Sequence, residues 1–379
     1  MRSFALSAAA LVAGFVSTTT AQTHTDLRKL TRLPEGYPLN TTGCPDMQAL
    51  GSNVTFNWNN TGIPKDGKVW NMPNQGKIDW VEKGATFTIE RSGDSPTANS
   101  VFYMLFGRLE IVMKVATGTG IISSAILQSE ALDEIDWEFR GDDATILTNY
   151  FGKGNTTTYD RGKDYKLDFS PQEGFHNYTI DWTKDRIEWW VDGKNVRTLT
   201  PAEAQGGKQY PQTPMNVRLG SWAAGDPNKN DPGVVEWAGG VTNFDDGPYT
   251  MTIKSVYAQD YTSGAETYSW DDMDSSGDWQ KVKVIKGKSE VLKEIQEPHG
   301  VKNRWAALSK GAQIGIIIGS ISALAIGALV MLFCCIKQRR VGKKEHEALL
   351  AEEQKEAAEL SEYKAQMQAG RFAMGGGKV

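Results

Sequence analysis

A chain of 379 residues with 41 lysines and arginines against 46 aspartates and glutamates carries a formal charge of −5, and no basic stripe lies outside one short cluster near the C-terminus. Such a balance gives no support to nucleic acid as a partner. Three cysteines exclude a disulfide-dense scaffold, and of four histidines His24, His299 and His346 fall outside the expected folded domain, so a Ser-His-Asp triad or a histidine metal site has little to work with. His176, in FHNYTIDW, reads as a structural hydrogen-bonder, and the glycines of GKGN at Gly152 and of the run at Gly375 lack the residues of a phosphate loop.

In chain order, MRSFALSAAALVAGFVSTTTAQT sets Arg2 ahead of a short apolar run and ends with the small residues Thr19 and Ala21, the layout of a secretory signal peptide over residues 1–21. The mature chain is therefore expected outside the cell. After an N-terminal segment, 22–43, strand-like runs such as YTIDW, RIEWWVDG, VRLGSW and YTMTIKSVYAQDY are parted by glycine, proline and asparagine turns, which predicts one all-β sandwich over 44–265. Sequons at Asn40, Asn53, Asn59, Asn155 and Asn177 are candidate surface glycan sites in an exported chain. Cys44 has no second cysteine in this region with which to form a staple.

Residues 266–313 are more polar, and DDMDSSGDWQKVKVIKGKSEVLKEIQEPHG reads as a stalk or short helical linker. Residues 314–336 contain no charged side chain and, at 23 residues, predict a transmembrane helix about 35 Å long. Lys337, Arg339, Arg340, Lys343 and Lys344 follow at once, as expected of a cytoplasmic flank, which puts the sandwich outside. For Cys334 and Cys335 an apolar helix-end role and S-palmitoylation both stay open. The tail, 337–379, is rich in helix formers with Leu349, Leu350, Leu360 and Tyr363 at roughly helical spacing, predicting a solvated, partly frayed helix, and GRFAMGGGKV reads as a disordered end.

The chemistry concentrates in LDEIDWEFRG, residues 132–141. As a strand it points Glu134, Asp136 and Glu138 to one face and Ile135, Trp137 and Phe139 to the other, with Asp133 beside them. Like charges in phase repel unless water or a partner relieves them, so two readings stand: a solvated acidic face, or a site. Glu134 and Glu138 lie about 13 Å apart at Cα, and inward-leaning side chains leave roughly 5 Å between carboxyls, the separation of a retaining glycosidase pair.

E-I-D-W-E resembles the E-x-D-x-E signature of family sixteen glycoside hydrolases. The blocks around it, from FYMLFGRLEIVMKVATGTGIISSAILQSEALDEIDWEF through TNYFGKGNTTTYDRG, FHNYTIDWTKDRIEWWVDGK and LGSWAAGDP to VVEWAGG, resemble the Crh family of fungal cell-wall chitin-glucan transglycosylases. The resemblance implies a concanavalin-like β-jelly roll, with Glu134 as nucleophile, Asp136 as assisting acid and Glu138 as general acid/base. It implies chitin as donor and β-glucan or chitin as acceptor, with no cofactor or metal. Most of that family is held by a glycolipid anchor and pairs a cysteine near the position of Cys44; this chain departs on both counts, and its membrane helix makes the plasma membrane its other partner. Trp222 and Trp237, in glycine-rich contexts, are candidate sugar-stacking platforms or core residues, and Asn149 and Tyr150 candidate donor contacts. The alternative function is a non-catalytic carbohydrate-binding surface protein on the same fold, using the acids for calcium.

Overall fold

The computed structural model describes residues 38–39, 42–59, 67–73, 75–155, 160–297 and 305–368. The expected signal peptide, Asn40, His24 and His299 lie outside them. The chain divides into two units, 1–299 and 300–379.

The first unit is a jelly-roll sandwich. One sheet of seven strands runs in the order Lys163–Lys166, Thr145–Phe151, Glu134–Gly141, Gly118–Ser129, Met215–Ala223, Thr97–Met104, Trp70–Asn71. The facing sheet runs Lys194–Leu199, Ile187–Val191, His176–Trp182, Gly107–Lys114, Tyr249–Asp260, Gly84–Ile89, Lys77–Val81, with Asn53–Asn57 also pairing on Tyr249–Asp260. The neighbours within both sheets pair antiparallel, so side chains alternate between a dry face and an outer one. Inner faces meet through aromatic side chains: Phe139 stands edge-on to Tyr178 at 4.5 Å between ring centroids, and Trp137 to the same ring at 6.0 Å. Burying a side chain of this size contributes about 1.5 to 3 kcal/mol. The acidic strand is thus pinned to the opposite sheet by its apolar face.

The stalk expected over 266–313 is corrected for most of its length. Met47–Gln48, Ala265–Ser269 and Lys283–Lys286 form a three-stranded sheet, and a helix follows at Glu290–Gln296. Tyr268, Trp270, Val282 and Val291 belong to the same apolar core as the sandwich. The segment looks polar because its strand Lys283–Lys286 is an edge that keeps two lysines exposed while Val284 packs inward. Buried Ser289 fastens it, accepting from the Leu292 amide at 3.1 Å as the helix N-cap and donating to the Ala49 carbonyl at 2.7 Å.

In the second unit a helix of 59 residues, Lys310–Gln368, runs without a break. It is long and apolar enough to cross a membrane by length and composition. The tail continues it through the basic cluster to Gln368, because alanine, leucine, glutamate and lysine dominate there and no proline interrupts; the end GRFAMGGGKV lies outside the described residues.

If the strap over 265–297 belongs to the cooperative unit, Ser289→Ala should lower its stability by about 1 to 2 kcal/mol, a fall of roughly 4 °C in Tm. Calorimetry reads this directly, and an unchanged Tm would make the strap an appendage.

Candidate active site

The site is built on the middle of the seven-stranded sheet. The hairpin joining Gly118–Ser129 to Glu134–Gly141 closes with Leu132 in the left-handed region at φ 60°, and with the Ser129 amide donating to the Asp133 carbonyl at 2.8 Å. Asp133, the acid out of phase with the other three, is fully buried and serves as a knot. Its Oδ1 accepts from the Lys153 amide at 2.8 Å, and its Oδ2 from the Gln212 and Thr213 amides at 2.8 and 2.9 Å and from Thr213 Oγ1 at 2.8 Å. Two loops are thereby held against the start of the acidic strand.

Cross-strand partners point the same way, so the register places the outer-face residues in rows. Phe151, Glu134, Gln128 and Asn216 share one row; Asn149, Asp136, Ile126 and Arg218 the next; Leu147, Glu138, Ser124 and Gly220 the third; Arg140, Ile122 and Trp222 the fourth. The three acids are 1 to 3 % exposed, so the solvated-face reading fails. Burial pushes the Asp136 carboxyl well above the usual carboxylate range, assisted by the charges of Glu134 and Glu138 and by a hydrogen bond to Glu134. Glu138 is likewise pushed up, first by burial and then by Glu134. Asp136 Oδ1 and Glu138 Oε1 are buried with no hydrogen-bond partner. A group held as a neutral acid with an unsatisfied oxygen, two positions along a face from other carboxyls, is equipped to give a proton to something placed against it.

Asn149 sits on the acid face opposite Asp136, and its Oδ1 is buried without a partner. Tyr150 does not join it, which corrects the expectation. Opposite Ile135, it points into the core, where the Arg197 guanidinium lies 5.5 Å from its ring centroid; the next residue, Phe151, takes the acid face beside Glu134. In a strand a one-residue error changes faces.

Trp222 and Trp237 come together as stacked rings 6.4 Å apart, in a small apolar cluster with Ile122, Ala224 and Ala238 that is separate from the main core. Glycines make this possible. Gly225 gives its amide to Gly120 O at 2.8 Å and lies so close to the 240 loop that a Cβ on it would stand 2.3 Å from Gly240 O. Trp222 also lines a hollow of about 260 Å³ with Asp94, Asp226, Lys229 and Asn230, beyond Glu138 along the same face. The indole Nε1 of Trp222 is buried and unsatisfied.

Sequence reasoning missed Gln128, Asn216, Arg218 and Phe151. Gln128 Nε2 donates to Glu134 Oε2; Arg218 Nη1 donates to Gln128 Oε1 and its Nε to Asn216 Oδ1 at 2.9 Å. An arginine inside the apolar run VRLGSW was the available signal. Trp189 Nε1 donates to the Asp136 carbonyl at 3.0 Å from the facing sheet, fixing the strand's backbone from below. Away from the site, His176 Nδ1 meets Asp192 at 2.7 Å and its ring stacks on Phe169, a structural role as expected. Of the sequons, Asn53 and Asn59 are exposed and Asn155 half-buried, whereas Asn177 lies within a strand with its amide on Glu110 and its carbonyl oxygen accepting from Thr179. No group of three or more histidine, cysteine, aspartate or glutamate side chains is placed to hold a metal among the described residues.

The model of glycosyl hydrolases family 16 matches residues 66–239. Crh-like protein 2 of Botryotinia fuckeliana is 45% identical over 346 residues, 89% of this chain and 74% of that protein. Crh-like protein 3 of Aspergillus fumigatus is 42% identical over 93% of both chains. A solved structure described as Crh5 transglycosylase in complex with NAG is 48% identical and superposes with a TM-score of 0.60, covering 64% of this chain and 97% of that one.

Raised acids give a signed prediction. A carboxyl whose pKa is raised on folding contributes stability that is complete below the ordinary carboxylate range and is lost as pH rises through the raised value. Asp136→Asn cannot titrate, so its Tm should exceed the parent's near pH 8 and the gap should close toward pH 4. A gap that stayed constant with pH would mean that Asp136 is not held protonated.

Proposed function

The chain belongs to the Crh-like proteins of glycosyl hydrolase family 16, and on that premise we propose that it is a retaining transglycosylase that cuts chitin and passes the cut chain to β-glucan or to chitin. The observation that carries this reading is the run of three in-phase buried carboxyls in which Asp136 and Glu138 are biased toward the protonated form.

The steps follow from what each group can do. Glu134, as carboxylate, attacks the anomeric carbon while Glu138 gives its proton to the departing glycosidic oxygen; a covalent bond to Glu134 Oε replaces the glycosidic bond. Glu138, now charged among acids in a dry site, is a stronger base than in water and takes the proton of an incoming hydroxyl as that oxygen displaces Glu134. Asp136, hydrogen-bonded to Glu134, follows the charge on its neighbour through the cycle. Transfer wins over hydrolysis to the extent that an acceptor sugar is held against the glycosyl-enzyme, since both reactions share that intermediate. The Trp222–Trp237 stack and Asn149 are the groups on this face suited to hold sugar rings and hydroxyls.

On the same reading residues 1–21 are a signal peptide, 314–336 cross the plasma membrane and 337–379 lie in the cytoplasm, so the enzyme works where new polymer reaches the cell surface. The apolar run inside Lys310–Gln368 and the five basic residues after it support the orientation.

The full chain in detergent, given labelled chitin oligosaccharides with β-glucan, should return label in the glucan fraction, and Glu134→Gln or Glu138→Gln should cut transfer by about 10³-fold or more with binding retained. Shortened oligosaccharides with every acceptor would make it a chitinase, and binding with no cleavage a carbohydrate-binding protein. A tag at Val379 should stay with membranes and become accessible only after permeabilisation; release of the sandwich by a glycolipid-cleaving phospholipase would overturn the topology.

A further inference from the structure

Three carboxyls in a dry site leave open which of them carries the negative charge, and nucleophilic attack requires that it be Glu134. We propose that Arg218, acting through the amide of Gln128, is the positioning residue that keeps Glu134 the ionised member of the set. The inference rests on the reading of Glu134 as nucleophile.

The bonds leave little freedom. A guanidinium can only donate, so Arg218 Nη1 against Gln128 Oε1 fixes which end of the amide faces the cation. The other end, Nε2, can only donate, and it is aimed at Glu134 Oε2, which must accept. A carboxylate accepts this bond more strongly than a neutral carboxyl does, and the guanidinium charge behind the amide polarises it further, so the chain of bonds favours the ionised form. Asn216, whose Oδ1 accepts from Arg218 Nε at 2.9 Å, holds the guanidinium in place. Gln128, Asn216 and Arg218 are each 5 % exposed or less, so the bonds are little weakened by water.

The charged groups around Glu134 are of both signs. On its own strand stand Asp136 and Glu138, which oppose ionisation, and Arg140, whose guanidinium is turned to Asp143 and Asp164. In the adjoining turn are Glu130, accepting from Tyr103, and Asp133, which faces Lys153 at 3.9 Å. From the neighbouring strand Phe151 presents a ring, with Arg161 over it at 5.2 Å. From the next strands come Gln128 and Arg218, which connect a buried cation to the Glu134 carboxyl through one side-chain amide.

The test reads ionisation apart from turnover. In the full chain carrying carboxyl-labelled glutamate, the infrared band or carbon resonance that disappears in Glu134→Gln is titrated in the parent, in Gln128→Leu and in Arg218→Met. Loss of the relay should move the midpoint of that signal upward by about one pH unit, and the acidic limb of kcat/KM with it, while the alkaline limb set by Glu138 stays. Arg218→Lys should restore part of the shift, and Gln128→Leu with Arg218→Met should do no more than the larger single change, as expected of one pathway. An unmoved Glu134 midpoint in Gln128→Leu, with circular dichroism and Tm near the parent's, overturns the proposal even if activity falls. Should Arg218→Met not fold, Gln128→Leu decides alone. If the parent neither cleaves nor transfers sugar, the assigned function fails, whereas the titration still reports whether the relay sets the charge.

Discussion

Everything in the sandwich answers to one electrostatic constraint: three carboxyls share one face of one strand with almost no water. At about 4 Å two full charges in a medium of effective dielectric 20 repel by about 4 kcal/mol, and burial adds to that cost. Three negative charges there cannot persist, so protons are retained. Asp136 and Glu138 are the groups pushed toward the neutral form. The sheet makes the crowding durable because Ile135, Trp137 and Phe139 on the reverse of the same strand are wholly buried against the facing sheet. Rotating the acids into solvent would pull those aromatics out of the core.

The surroundings then distribute the charge unevenly. Asp133, one position out of phase, is saturated with donors and ties two loops to the hairpin, whereas Asp136 and Glu138 each keep a buried oxygen unmatched. Neighbouring residues of the same chemical type thus differ in what they do: one is a fastening, and the others are left with buried oxygens to satisfy. The phase of the strand decides which is which.

Much of this was legible in the sequence because a strand's two-residue period is a strong constraint. The alternation in EIDWEF fixed both the acid face and the fate of Trp137. Tyr150 was misplaced for the converse reason: TNYFGKG has no alternation of its own, and its facing depends on pairing with the acidic strand, which is a long-range fact. Arg218 was missed because its strand is buried on both faces, which the run VRLGSW shows only through an arginine standing among apolar residues. The strap over 265–297 fell almost wholly within the expected stalk because an edge strand and a one-sided helix bury only a few apolar residues each, and those few are what attach it.

That strap has a mechanical side. Force applied to the chain beyond Gln296 reaches the helix Glu290–Gln296 and then the edge strand Lys283–Lys286, which among the described residues pairs only with Ala265–Ser269, in antiparallel register from Lys286 opposite Ala265 to Lys283 opposite Ser269. Pulled from its trailing end, such a strand peels one bond at a time and does not load them all together in shear. The acidic strand, flanked on both sides in the middle of a different sheet, would feel nothing until the peel was complete. Load on the chain beyond Gln296 would therefore be taken up at this edge first, with the spacing of Glu134, Asp136 and Glu138 left as it was.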